Sequence, residues 1–188
     1  MKHTNKNDRK DANVKPYSIG SVRSEDGTTI GYRQLGRGPG VILIHGGMQA
    51  AQNLMSLAED LSDTFTVYVP DRRGRGLSGP YSEHHSIKKE CEDIGALLSQ
   101  TNTHNLFGLS AGALMSLEAA RLFPDIHMLA IYEPPLPVEG TDPTAWLPRF
   151  DQDIAQGKLG AAMITAALGT ERRPCYMSDE LNSQELVI

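Results

Sequence analysis

Apolar residues along this chain recur in two rhythms. One marks short strands and the other amphipathic helices. Tyr17 to Arg23 and Thr29 to Gln34 read as a hairpin around the turn signal Glu25-Asp26-Gly27. Val41 to Ile44 is an unbroken, mostly β-branched run. Such a run suits a strand buried on both faces, as in a parallel sheet. Leu54, Leu57, Ala58 and Leu61 fall at helical spacing. Phe65 to Val69 is a further strand, stopped at Pro70-Asp71. Ile87, Cys91, Ile94, Leu97 and Leu98 mark one face of a second helix. Leu106-Phe107 ends a strand. Leu114, Leu117 and Leu122 extend a third helix that Pro124 stops, and Met128 to Tyr132 is the next strand.

The order is a hairpin followed by alternating strands and helices. It predicts an α/β fold: a predominantly parallel sheet with helices on both faces. Catalytic groups in such sheets gather at the carboxyl ends of the strands. Those ends carry His45-Gly46-Gly47, Asp71 to Gly76, Ser110 and Glu133. Beyond Pro137 the pattern changes. Phe150 with Ile154, and Leu159 with Met163 and Ala167, outline two short helices, with Gly169 as C-cap. They read as a partial lid over the strand ends. The expected organisation is therefore a flexible tail (1–16), a core (17–137) and a cap region (138–188), with Glu171 to Ile188 lacking periodicity.

Composition narrows the class. The chain has 188 residues, enough for one core, with 39% hydrophobic residues and a net charge of −5. That charge disfavours nucleic acid and anionic membranes as partners. The first fifteen residues are locally basic, with Lys2, Lys6, Arg9, Lys10 and Lys15 against Asp8 and Asp11, and they lack the apolar stretch of a signal peptide. No run reaches the ~20 apolar residues of a membrane span. Cys91 and Cys175 form neither a metal spacing nor a disulfide framework, so the expected compartment is the cytoplasm.

The chemistry centres on Gly108-Leu-Ser-Ala-Gly112. A Gly-x-Ser-x-Gly frame between strand and helix is a nucleophile elbow. It presents one hydroxyl at a helix start, and side chains at either glycine would collide with neighbours. Ser110 is the candidate nucleophile. The Ala111 amide follows it and is one oxyanion donor; Gly47 is the other, with Met48 in reserve. His45 is read as a loop-ordering residue near Asp71. The arginines of Asp71 to Ser78 could grip an anionic substrate, but the glycine spacing points to a tight structural loop. No residue pattern implies a metal or an organic cofactor.

Three motifs, His45-Gly46-Gly47, Asp71-Arg-Arg-Gly-Arg-Gly-Leu-Ser78 and the elbow, resemble the α/β-hydrolase fold superfamily. The resemblance is to its capped branch and covers about residues 17 to 170. It implies a serine hydrolase acting on a small ester, lactone or thioester through an acyl-enzyme. Serine at 110 argues against the dehalogenase and epoxide hydrolase types, which by resemblance use aspartate there. The family's triad runs nucleophile, acid, histidine, and Glu133 occupies one position the acid takes in relatives.

The histidine is where the chain departs from the pattern. His127 alone follows Ser110, and it starts the strand that Glu133 follows, roughly 16 Å from the catalytic edge at about 3.3 Å per residue. His84 and His85 precede the second helix; His3 and His104 lie in the tail and a turn. The expectation is a shortened hydrolase lacking its last two strand–helix units, impaired for want of a base. An open sheet edge would then be available for self-association. A non-catalytic remnant that binds a ligand or partner is the alternative. A cofactor-free haloperoxidase or perhydrolase, using the same residues, is a further one.

Overall fold

A computed structural model describes residues 15–136, 142 and 144–170. The expectations for most of the 1–16 tail, for His3, and for Cys175 within Glu171 to Ile188 lie outside the described residues. The chain divides into two compact units, Met1–Pro134 and Pro135–Ile188.

The first unit is built on a six-stranded sheet in the order β1-β2-β4-β3-β5-β6. β1 (Ser18–Arg23) and β2 (Thr29–Gly36) form the antiparallel hairpin, and β2 continues antiparallel onto β4 (Thr66–Pro70). β3 (Gly40–Ile44), β5 (Asn105–Leu109) and β6 (Met128–Tyr132) complete a parallel set with β4. The right-hand rule for parallel crossovers sends each connecting helix across a sheet face.

Strand alternation sorts the core into two layers. Ile42 and Ile44 of β3 join Ile30 and Leu106 beneath α2 (Ile87–Thr101) and α3 (Ala111–Leu122), where Cys91, Ile94, Leu97 and Ala119 meet them. Leu43 points the other way. It packs with Val67 and Val69 against a 3₁₀ turn, Ala51–Leu54, and α1 (Met55–Leu61). Burial of β3 on both faces explains its unbroken apolar sequence.

Several helix faces differ from the spacing-based expectation. In α2, Ile87 is exposed, whereas Glu90 and Asp93 are buried. Those carboxylates face arginines from the loop after β4, so a polar stripe completes the face that the apolar residues begin. In α3 the buried positions are Gly112, Ala113, Ser116 and Ala119, and Leu122 is exposed. Small residues let this helix lie close to the sheet.

The second unit holds α4 (Leu147–Ala155) and α5 (Leu159–Thr170). Asp153 is buried between them, accepting from Arg149 Nε (3.0 Å) and Thr165 Oγ1 (3.2 Å). The buried residues of α5 are Ala162 and Ala166, while Leu159, Met163 and Ala167 are exposed. Gly169 is a helical residue rather than a cap. A Cβ there would run into the Trp146 side chain, so its glycine answers to packing.

Candidate functional site

β5 runs straight into α3 with a single residue, Ser110, between them. Its φ of 53° and ψ of −117° place it in a strained region for a residue with a side chain. Close packing holds the bend. A Cβ at Gly108 would lie 2.6 Å from Ala113 Cα, and one at Gly112 would strike the Ile44 carbonyl and lie 2.7 Å from that of His45. The Ser110 amide donates to Tyr132 O at 2.8 Å, tying the elbow to the end of β6. Ser110 itself is half-buried, at the surface of the strand ends.

The structure brings most of the sequence-derived candidates to this edge. Register pairs Leu109 with Tyr132, so Glu133 lies opposite Ser110; it is exposed and has a φ of 47°. The loop after β3 closes on the elbow from the other side: a Cβ at Gly46 would be 3.3 Å from Ser110 Cβ. Gly47 lies over Ala111, its Cβ position 4.0 Å from Ala111 Cβ. The Gly46 amide is already taken by Gln49 Oε1 at 2.9 Å, which leaves Gly47 and Met48 as the next amides along the loop. Met48 has a φ of 47° and an exposed side chain. Ala111 opens α3, where helical amides have no partner within the helix and favour negative charge.

His45 is fully buried below this loop. Its Nδ1–H donates to Gly46 O (2.9 Å) and its Nε2 accepts from the Arg72 amide (3.1 Å), which fixes the neutral tautomer. Burial holds its pKa down to about 4, with Arg72 and Arg75 acting in the same direction against the Gly46 carbonyl. The partner of His45 in the next loop is therefore the Arg72 backbone rather than the Asp71 carboxylate.

Asp71, also fully buried, accepts from Arg33 Nη1, Ala51 N and Leu77 N, each at 2.9 Å. Burial pushes its carboxyl up, but those donors outweigh it and the net shift is downward. Gly76, at φ 47°, leaves the room that the carboxylate occupies.

Arg72 and Arg73, which follow Asp71, are sequestered. Arg72 grips Glu90 with two bonds (2.9 and 2.7 Å) and donates to Gly46 O (3.1 Å). Arg73 grips Asp93 with two more (2.7 and 2.6 Å) and reaches Asp26 at 2.9 Å. The Arg73 guanidinium holds the Asp26 carboxyl well below the usual range. Glu90 and Asp93 escaped the sequence reading. The available signal was their i,i+3 spacing on the apolar side of α2, beside Ile94 and Leu97.

The histidines other than His45 occupy other places. His127 is at the opposite end of β6 from Glu133 and stacks on His104, with ring centroids 4.8 Å apart. His85 packs on Tyr81 at 4.5 Å and sets Nε2 3.4 Å from Glu90. His84 is exposed in the same loop. No described histidine hydrogen-bonds the Ser110 hydroxyl. Among the described residues no cluster of three or more His, Cys, Asp or Glu could hold a metal. No described helix is long and apolar enough to cross a membrane.

A mostly parallel sheet, a serine bent into a helix start and two loops wired beneath it define an α/β fold with its candidate site at the strand ends. A model of the α/β hydrolase fold family matches residues 39–171, and the chain belongs to that family. The hydrolase YraK of Bacillus subtilis (strain 168) is 30% identical over 113 residues, 57% of this chain and 42% of its own length. The pimeloyl-(acyl-carrier protein) methyl ester esterase of Stenotrophomonas maltophilia (strain K279a) is 33% identical over 139 residues, 73% of this chain and 51% of its own. An α/β hydrolase from Sphaerobacter thermophilus DSM 20745 aligns with a TM-score of 0.74 and 34% identity, over 83% of this chain and 62% of that one. The chain spans about half or less of the length of these curated relatives.

Proposed function

We propose that this chain carries the nucleophile and the oxyanion donors of a serine hydrolase that acts on a small ester, lactone or thioester. The observation that carries the reading is the bend at Ser110. Its hydroxyl-bearing residue has a φ of 53°, lies at the solvent-facing strand ends, and stands between the start of α3 and the Gly46-Gly47 loop. Strain of this kind is maintained only where neighbours enforce it, and it concentrates at functional sites.

In this reading Ser110 Oγ attacks the acyl carbon and gives its proton to a base. The carbonyl oxygen becomes an oxyanion, received by the Ala111 and Gly47 amides. Collapse expels the alcohol or thiol, which takes up a proton, and leaves an acyl-enzyme that water hydrolyses. Glu133 is the acid that would orient the base, which the family resemblance makes a histidine; relatives' hydrolase names and the methyl ester esterase among them support the reaction class.

The test is covalent labelling. A neutral fluorophosphonate, with imidazole supplied in the buffer as base, should modify Ser110, read by peptide mass spectrometry. Ser110→Ala should take up none. Modification elsewhere, or equal uptake by both proteins, would overturn the proposal.

A further inference from the structure

Hydrogen bonds hold the backbone of Gly46 from both of its ends. Its carbonyl is turned inward, where the buried His45 Nδ1 (2.9 Å) and Arg72 Nη1 (3.1 Å) donate to it. The peptide to Gly47 is trans, so the Gly47 N–H points the opposite way, out of the buried layer. Gly47 is exposed there, over Ala111. Among the described residues nothing accepts from the Gly47 amide or the Ala111 amide. The other end of Gly46 is held by a side chain. Its buried amide donates to Gln49 Oε1 at 2.9 Å, closing a tight loop in which Met48 has a φ of 47°. A left-handed φ at a residue with a side chain persists where neighbours enforce it.

The same carboxamide borders the nucleophile. A Cβ placed on Gly46 would lie 3.0 Å from Gln49 Oε1 and 3.3 Å from Ser110 Cβ, so the two side chains flank one point. A glutamate at 49 would accept the Gly46 N–H more strongly, because that bond would be charge-assisted. It would also set a negative charge beside the oxygen that turns negative during acyl transfer. The residue present is the neutral acceptor. We propose that Gln49 is a positioning residue of this site. Its Oε1 locks the loop so that the Gly47 amide faces the oxyanion, and its neutrality leaves that amide's pull on the oxyanion undiminished. This rests on the serine chemistry proposed above and adds the group that holds its second donor in place.

Wild type, Gln49→Glu and Gln49→Met are compared in three ways: the rate of Ser110 modification by a neutral fluorophosphonate in imidazole buffer, the thermal melt, and hydrogen exchange of the Gly46 amide read by NMR. Gln49→Glu keeps the acceptor, so its melt and its Gly46 protection should match wild type. Modification of Ser110 should nonetheless slow by about 10- to 100-fold, from the charge alone. Gln49→Met keeps the length and loses the acceptor. Exchange at Gly46 should quicken by about 10-fold, and modification should slow with it. A glutamine that served stability only would lower the melt on going to methionine and leave the glutamate variant as reactive as wild type, which overturns the proposal. Equal Gly46 protection in wild type and Gln49→Met overturns it as well. Gly46 exchange that depends on Gln49, in a wild-type chain whose Ser110 takes up no label, keeps the clamp on the loop and sinks the serine chemistry.

Discussion

Lowering the pH should unlock the loop behind the elbow through a single imidazole. His45 is fully buried, and both ring nitrogens are committed: Nδ1 donates to Gly46 O and Nε2 accepts from the Arg72 amide. A second proton would set Nε2–H against the Arg72 N–H and place a cation beside Arg72 and Arg75. Burial leads the causes that hold the pKa near 4, against an ordinary 6.5. The unfolded chain takes the proton first as pH falls, so the stabilisation is complete above about 6.5. It is lost between there and about 4, where the folded state titrates as well. At 1.36 kcal/mol per unit the loss is about 3 kcal/mol. Urea unfolding across this window measures it, with His45→Gln as the reference; the amide oxygen can still accept from Arg72 N but does not titrate. As pH drops through the window the wild-type stability should fall more steeply than the variant's, while carboxylate effects are common to both. Parallel curves would refute the neutral, buried imidazole.

Asp71→Asn should cost about 3–5 kcal/mol in urea unfolding, because Arg33 would keep a buried charge without its partner; a loss under about 1 kcal/mol would contradict the geometry. Gly112→Ala drives a Cβ into the Ile44 carbonyl at the elbow, so fluorophosphonate labelling of Ser110 should slow by about 10²-fold, as for a small misplacement of a reacting group. Unaltered labelling would show that the bend tolerates the methyl group. Cys91 is buried, which together with Glu118 and Glu90 pushes its thiol up to about 11. At neutral pH a disulfide reagent should reach it only as the chain unfolds, and prompt reaction in the native state would count against the packing of α2.

The parallel strands were legible because their centres are apolar on both faces, and no charge interrupts Val41 to Ile44 or Phe65 to Val69. The elbow was legible because two glycines flank the serine, and both turn out to be forced by neighbouring backbone. The faces of α2 and α5 were not legible, for opposite reasons. α2 buries carboxylates that spacing alone assigns to solvent, since their partners are 18 and 20 residues away in another loop. α5 is apolar around most of its circumference, so no stripe identifies the side that packs, and two alanines take that role.

The hidden charges explain how so short a loop system can hold a strained serine. Glu90 anchors Arg72 from α2, and Arg72 holds the Gly46 carbonyl while its own amide caps His45. Gly46 then meets Ser110 from one side, and Tyr132 O holds the Ser110 amide from the other. The links from Glu90 to Gly46 are directional bonds between buried groups, and close packing carries them to Ser110, the condition under which positive φ at a side-chain-bearing residue survives. Glu90→Gln should therefore act on the elbow from a distance: labelling of Ser110 should slow even though Glu90 touches none of the reacting groups. Its double variant with Arg72→Met should be less damaging than the sum of the two single changes, because the second removes the charge that the first leaves unpaired. Strict additivity would mean that the bend is held by the sheet alone, and that the ionic layer belongs to stability rather than to the site.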